Sequence, residues 1–176
     1  MTLACPIKLI KSEKRFCNNK GFTVVELLVV VGIIAVLTTI GVASYNNFND
    51  RKVLESAVEE LKSNLRLAQS KAINNEKDSN LANCLISPLD GWVINFTSNV
   101  YKCQCGSVES PNTFPLFDRD VNNDGTPDIG VNIVGVPVFV FKALGGTDLP
   151  ADNTITLSYK SVPDQIVVIS TGGDIN

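Results

Sequence analysis

Oxygen-bearing side chains recur through one segment, "DRDVNNDGTPD", residues 118–128. If Asp120 is the first position of a calcium-binding loop, side-chain oxygens fall at positions one, three and five. Gly125 then falls at position six and Thr126 at position seven. A calcium loop needs this spacing, because alternate side chains converge on the ion, the glycine permits a sharp turn and position seven supplies a backbone carbonyl.

The match to a complete calcium loop ends at position twelve, where a bidentate glutamate belongs and this chain has Val131. The alternative is a solvated Asp-Gly turn between two strands. We expect calcium, because five oxygen-bearing side chains alternate through the eleven residues. The candidate ligands are the side chains of Asp118, Asp120, Asn122, Asp124 and Asp128 and the carbonyl of Thr126.

Thiol chemistry is the second possibility, since three cysteines follow the N-terminal apolar run, at Cys84, Cys103 and Cys105. If residues 103–105 form a strand, both of their side chains point to the same face and a bond between them would be strained. A disulfide from Cys84 to either one is favoured outside the cytoplasm and, by closing a loop of roughly 20 residues, contributes about 3 kcal/mol. Three thiolates could also hold zinc, but a fourth ligand is missing, so the sequence favours one disulfide and one spare thiol.

Glu26 is the only ionisable residue between Phe22 and Ala43, in an apolar run of about 22 residues. A carboxylate in such a run is costly in a bilayer, and it is therefore read as functional and in need of a partner.

Charge is distributed unevenly along the chain. Residues 1–20 hold five basic residues and one acid, whereas residues 22–176 hold 10 basic and 17 acidic residues. A basic flank before an apolar span stays in the cytoplasm, so the globular part is expected on the far side. The acidic excess argues against nucleic acid as its main partner. Without histidine or a nucleophile motif such as G-x-S-x-G, the chain is not expected to be an enzyme.

The N-terminal segment differs from an ordinary secretory signal. Its apolar run exceeds the signal-peptide core of about 7–15 residues, and no small-residue cleavage site follows it. The small residue, Gly21, precedes the run instead. A plain signal anchor would explain the charge and the length, but neither Gly21 nor Glu26.

"KGFTVVELLVVVGIIAVL", which begins at Lys20, resembles the processing site of type IV prepilins and type II secretion pseudopilins. The resemblance implies that a prepilin peptidase cuts after Gly21 and methylates the new N-terminus at Phe22. It also implies that Glu26 pairs with the terminal amine of a neighbouring subunit during assembly. Phe22 and Glu26 are one helical turn apart, and a buried carboxylate is tolerated when it is paired.

The elements that follow must carry these residues. One helix is predicted from about Phe22 to Asn75, ended by the turn-forming run "NNEKDSN". In its second half, apolar residues recur at steps of three and four, which indicates an amphipathic helix with one buried face. The predicted buried positions are Leu54, Ala57, Val58, Leu61, Leu65, Ala68 and Ala72.

Short runs rich in valine, isoleucine and aromatic residues predict strands, separated by glycine, proline, asparagine and aspartate. The runs begin near Gly91, Asn99, Val131, Asn153 and Asp164, and Pro137 divides the third run or marks an edge. Because no helix is predicted between them, the strands should pair antiparallel. The expected fold class is α+β, a long N-terminal helix packed on an antiparallel sheet as in pilins.

"LRLAQSKAINNEK", "DGWVINF" and "IVVISTGGDIN", together with Cys84, are similar to the GspH/FimT-like branch of minor pseudopilins. The resemblance implies three segments: a cleaved basic leader (1–21), the transmembrane half of the helix (22–43) and a soluble pilin-like domain (44–176). The implied function is that of a structural subunit of a type IV pilus-like or type II secretion filament. The alternative is a competence-type pseudopilin that engages DNA, although the tail "STGGDIN" has an acid and no base.

The implied partners are other pilin or pseudopilin subunits, the prepilin peptidase and, before assembly, the lipid bilayer. The chain is then expected to cross the cytoplasmic membrane once, with its N-terminus in the cytoplasm. After assembly it would lie in an extracytoplasmic or cell-surface filament.

Overall fold

The structure is a computed structural model that describes residues 22–79 and 82–176, except for the side chains of residues 39–43 and 83. The predicted leader, with Gly21, Cys5 and Cys17, lies outside the described residues. The chain divides into two compact units, Met1–Val42 and Ala43–Asn176, and each is described by itself.

The first helix, α1, spans Val24–Ile73, which confirms the predicted helix to within two residues at each end. Its end is defined by two hydrogen bonds: the N–H of Glu76 donates to the carbonyl of Lys71 and the N–H of Asn75 to that of Ala72. Asn75 has a φ of 55°, in the left-handed region. This is the Schellman motif, in which such a residue turns the chain away and satisfies the last carbonyls of the helix.

In the first unit, every residue from 22 to 38 is exposed. The exposed fractions of its large apolar side chains range from 47% at Val30 to 79% at Phe22. In the part of the chain that the structure describes, no helix combines the length and the apolar character needed to cross a membrane.

Beyond α1, the described residues of the second unit form a short helix, α2 (Ala82–Ile86), and eight strands. The strands are β1 (Leu89–Asn95), β2 (Val100–Cys105), β3 (Val108–Glu109), β4 (Phe114–Pro115), β5 (Gly130–Val134), β6 (Val138–Lys142), β7 (Asn153–Ser158) and β8 (Gln165–Ile169). The larger sheet has the order β3-β2-β1-β6, with β4 also paired to β2, and the smaller sheet has the order β5-β7-β8. Every strand pair is antiparallel, so the α+β fold class is confirmed.

The predicted strand run that begins at Val131 is divided between the two sheets, with β5 in the smaller and β6 in the larger. The division lies at Gly135–Pro137. A Cβ on Gly135, whose φ is +123°, would lie 2.1 Å from Oδ1 of Asn153. The buried Asn153 also donates a side-chain hydrogen bond of 2.6 Å to the Val136 carbonyl. This close approach requires glycine, and it turns the chain from one sheet to the other.

One hydrophobic core joins α1 to both sheets. All seven predicted positions of the helix stripe are buried. They belong to the same cluster as Ile94 and Phe141 of the larger sheet and Leu157 and Val167 of the smaller sheet. The period of the apolar residues in the sequence therefore identified the buried face of the helix.

The single tryptophan of the chain, Trp92 on β1, links the end of α1 to the larger sheet. Its side chain is only 2% exposed. The indole N–H donates to the carbonyl of Glu76 at 3.1 Å, and Nζ of Lys71 lies 5.1 Å from the centroid of the ring. Trp92 therefore holds the last residue of the Schellman motif against the sheet.

Candidate functional site

The N-terminal end of α1 carries the predicted processing and assembly residues that the structure describes, Phe22 and Glu26. Phe22 is 79% exposed, and Glu26 is also exposed. Among the described residues, Glu26 belongs to no ion pair. The intersubunit pairing of its carboxylate stays a prediction.

Thr23 is a further residue of this end that the sequence prediction missed. Its hydroxyl oxygen accepts a hydrogen bond of 3.2 Å from the backbone N–H of Glu26, so Thr23 is the N-cap of α1. The signal in the sequence was Thr-x-x-Glu directly before an apolar run, the pattern of a capping box. Glu26 lies in the first turn, where the helix dipole favours a negative charge. It therefore fits a structural role in the helix as well as a role in assembly.

The acidic loop, residues 118–128, closes on itself through hydrogen bonds to its own backbone. The carboxylate of Asp120 accepts the N–H groups of Asp124 at 3.1 Å and of Gly125 at 2.6 Å. Two hydrogen bonds from Thr126 lower the pKa of the Asp124 carboxyl, and the bond from the hydroxyl has a larger effect than the bond from the N–H. Gly125 has a φ of +87°, so the predicted sharp turn at this glycine is present.

The loop does not gather its acidic groups around one point. In the described parts of the chain, one group brings three ligand atoms of acidic, cysteine or histidine side chains within 4.8 Å of one another. That group consists of cysteines. The carboxylates of the loop are instead directed at nearby donors, as when Asp128 accepts the N–H of Asn122 at 3.2 Å. The spacing of the loop fits calcium, but binding would require these oxygens to exchange their N–H partners for the ion. Calcium binding stays a prediction.

The three cysteines of the second unit lie together in the core. Cys84 on α2 is disulfide-bonded to Cys105 on β2, and the two Cα atoms are 5.1 Å apart. Cys103, on the same face of β2, is a buried free thiol. The structure thus has the predicted disulfide and spare thiol, and it selects Cys105 as the partner of Cys84.

The Cys103 thiol lies close to both sulfurs of the disulfide. Its Sγ is 3.6 Å from that of Cys84 and 3.7 Å from that of Cys105. Burial is the main cause that raises the pKa of this thiol. Because Cys103 is almost equidistant from the two bonded sulfurs, it lies beside the S–S bond and not on its axis. Thiol–disulfide exchange proceeds by attack of a thiolate on a disulfide sulfur, and both the protonated state and this position oppose it.

Comparison with known proteins finds similarity in the N-terminal segment. Residues 17–42 match the family model described as the prokaryotic N-terminal methylation motif. The chain is similar to prepilin peptidase-dependent protein D of Escherichia coli (strain K12), with 52% identity over 31 residues. Those residues make up 18% of this chain and 21% of that protein, so the match spans about a fifth of the relative's length.

The second comparison is between the fold of this chain and a solved structure. The type IV minor pilin FimU of Pseudomonas aeruginosa (strain PAO1) aligns with 73% of this chain and 90% of its own, at a TM-score of 0.49 and 17% sequence identity. These values are too low to carry a functional conclusion.

Proposed function

We propose that this chain is a structural subunit of a filament. The N-terminal motif and the curated relative support this proposal, because both point to the type IV pilin and pseudopilin family. The filament would be of the type IV pilus-like or type II secretion class, and the subunit a minor pilin or pseudopilin. The observation that carries the proposal is the match of residues 17–42 to the N-terminal methylation motif, which contains Gly21, Phe22 and Glu26. The acidic excess beyond residue 21 favours this role over the DNA-engaging alternative.

The exposed apolar surface of residues 22–38 supports a role in assembly. Soluble monomers rarely expose large contiguous apolar surfaces, and such surfaces mark contacts with proteins or membranes. In the proposed sequence of events, the lipid bilayer covers this surface before assembly and the helices of neighbouring subunits cover it afterwards. The carboxylate of Glu26 would then meet the N-terminal amine of a neighbour.

The proposed processing predicts one cleavage, between Gly21 and Phe22, and methylation of the new amine. Mass spectrometry of the N-terminus, on protein purified from the native host, measures both. A Gly21→Leu variant is the control, because it replaces the one small residue at the junction, and it is expected to keep its leader. A wild-type chain that still carries residues 1–21 in its filaments would rule out the prepilin proposal.

Calcium binding by the acidic loop is proposed as a separate property of the second unit. Extracellular calcium sites reach Kd values of about 10⁻⁴ M, so millimolar calcium would stabilise the folded chain by RT ln 11, about 1.4 kcal/mol. For a domain of this size we expect the melting temperature to rise by about 3–6 °C.

The full chain in detergent is suitable for this measurement, with and without millimolar calcium. The double substitution Asp120→Ala and Asp124→Ala should abolish the rise in melting temperature. Asp164→Ala, which removes an exposed carboxylate outside the loop, should preserve it. If calcium leaves the wild-type melting temperature unchanged, the loop is an ordinary polar turn.

A further inference from the structure

The sulfur atoms of Cys84, Cys103 and Cys105 form a compact group inside the second unit. Each of the three ligand atoms lies within 4.8 Å of the other two, and all three side chains are at least 98% buried. The group is assembled from two elements, because Cys84 comes from α2 and the other two side chains project from one face of β2. The free thiol of Cys103 has no part in the proposed filament function.

We propose that, once the Cys84–Cys105 bond is reduced, the three cysteines bind one thiophilic divalent cation of the zinc and cadmium class. Zinc–sulfur bonds are about 2.3 Å long, so two sulfurs of a tetrahedral site are about 3.8 Å apart. The Cys103 sulfur already lies 3.6 and 3.7 Å from its two neighbours. Only the two sulfurs of the former disulfide need to separate to complete one face of the tetrahedron, and water takes the fourth position.

Burial is the largest influence on the Cys103 thiol and raises its pKa, so the thiolate is stabilised chiefly by the bound ion itself. Three thiolates around a divalent ion carry a net charge of −1, and Lys77 and Lys71 both act on the Cys103 sulfur in the direction that stabilises a thiolate. The backbone N–H of Asp78 also donates to this sulfur, whereas burial and the Asp78 carboxylate act against the charge. Outer hydrogen bonds of this kind orient the ligands of a metal and tune their basicity.

α2 is the element that we expect to move when the ion binds. It is only five residues long, and two of its side chains, Leu85 and Ile86, are 75% and 85% exposed. The Cys84 side chain is buried and is covalently held by the disulfide. Cleavage of that bond removes the covalent attachment, so α2 can shift by the small distance that the ion requires.

The disulfide and the metal exclude each other, because both use the sulfurs of Cys84 and Cys105. A dithiol or a phosphine reductant supplies the two electrons that open the S–S bond, and two protons convert its sulfurs to thiols. Binding of the divalent ion then releases the protons of all three thiols. The oxidised chain should therefore bind no thiophilic ion at this cluster.

The test uses the full chain in detergent with Cys5→Ser and Cys17→Ser, since those two cysteines would also bind the probe. Cadmium alone is titrated into the protein after reduction with a phosphine, and the thiolate-to-cadmium charge-transfer band in the ultraviolet reports binding. We expect one cadmium ion per reduced chain and none per oxidised chain. Zinc should displace the cadmium and remove the band.

Cys103→Ser is the decisive variant, because it retains the disulfide in the oxidised state and two thiols in the reduced state. Its affinity for cadmium should fall at least about 100-fold, more than the loss of an outer hydrogen-bond partner produces. Cys103→Ala gives the same information if the buried hydroxyl of serine destabilises the fold. Equal cadmium affinity in the reduced parent and in either Cys103 variant would overturn the three-cysteine site, while leaving the filament proposal untouched.

Discussion

Replacement of Glu26 by glutamine or alanine is expected to exclude the chain from filaments while its cleavage after Gly21 continues. In the proposed filament, either change would leave the terminal amine of the neighbouring subunit without its counter-charge in an apolar environment. Loss of one partner from a buried ion pair costs about 3–5 kcal/mol, which is at least a hundredfold in an assembly equilibrium. The measurement is the ratio of variant to wild-type subunit in sheared, purified filaments.

Two further variants separate the charge of Glu26 from its place in the capping pattern. Glu26→Gln keeps a side chain that can complete the capping box with Thr23, yet it should fail as fully as alanine. Thr23→Ala removes the observed cap, at a cost of about 0.5–2 kcal/mol in helix stability, and should reduce incorporation far less. Normal incorporation of Glu26→Gln would show that the charge has no role in assembly.

Leu61→Ala is expected to destabilise the second unit by about 2–5 kcal/mol. Leu61 is fully buried at the centre of the helix stripe, so truncation removes apolar contacts and leaves a cavity in the hydrophobic core. Alanine has the highest helix propensity, so the cost comes from the core and not from the helix. Urea unfolding of the full chain, monitored by circular dichroism, measures the free energy of unfolding.

Leu67 provides the matched control on the same helix. It is 44% exposed, and Leu67→Ala should change the free energy of unfolding by no more than about 0.5 kcal/mol. Equal losses from the two substitutions would mean that the stripe predicted from the sequence does not form the core of the folded chain.

The sequence predicted α1 well because the physics of this helix is local. Steps of three and four between apolar residues define one face, and all seven positions of that face are buried. The end of the helix could be predicted for the same reason, since an asparagine can adopt the left-handed φ that Asn75 has there.

The division into two sheets could not be read in the same way. It depends on the approach of Gly135 to Asn153, which are 18 residues apart in the chain and meet only after folding. Periodicity locates strands but does not say which sheet each one joins. The short strands β3 and β4 were missed because two residues are too few to show an alternating pattern.

The candidate sites, too, could be predicted from the sequence only in part. The strand pattern placed Cys103 and Cys105 on one face, but the choice of Cys105 as the partner of Cys84 depends on the position of α2. For the acidic loop, spacing identified oxygens suited to calcium but not their orientation. In the structure, the carboxylate of Asp120 faces N–H groups of its own loop.

The position of Trp92 makes the docking of the helix end visible by fluorescence. The indole is buried and hydrogen-bonded to Glu76, just beyond α1, and the chain has no other tryptophan. If the end of the helix separates from the larger sheet, water reaches the ring and its emission moves to longer wavelength. Since the signal arises from one residue, it can be followed in the unlabelled chain, and it reports the loss of this one contact between the helix end and the larger sheet.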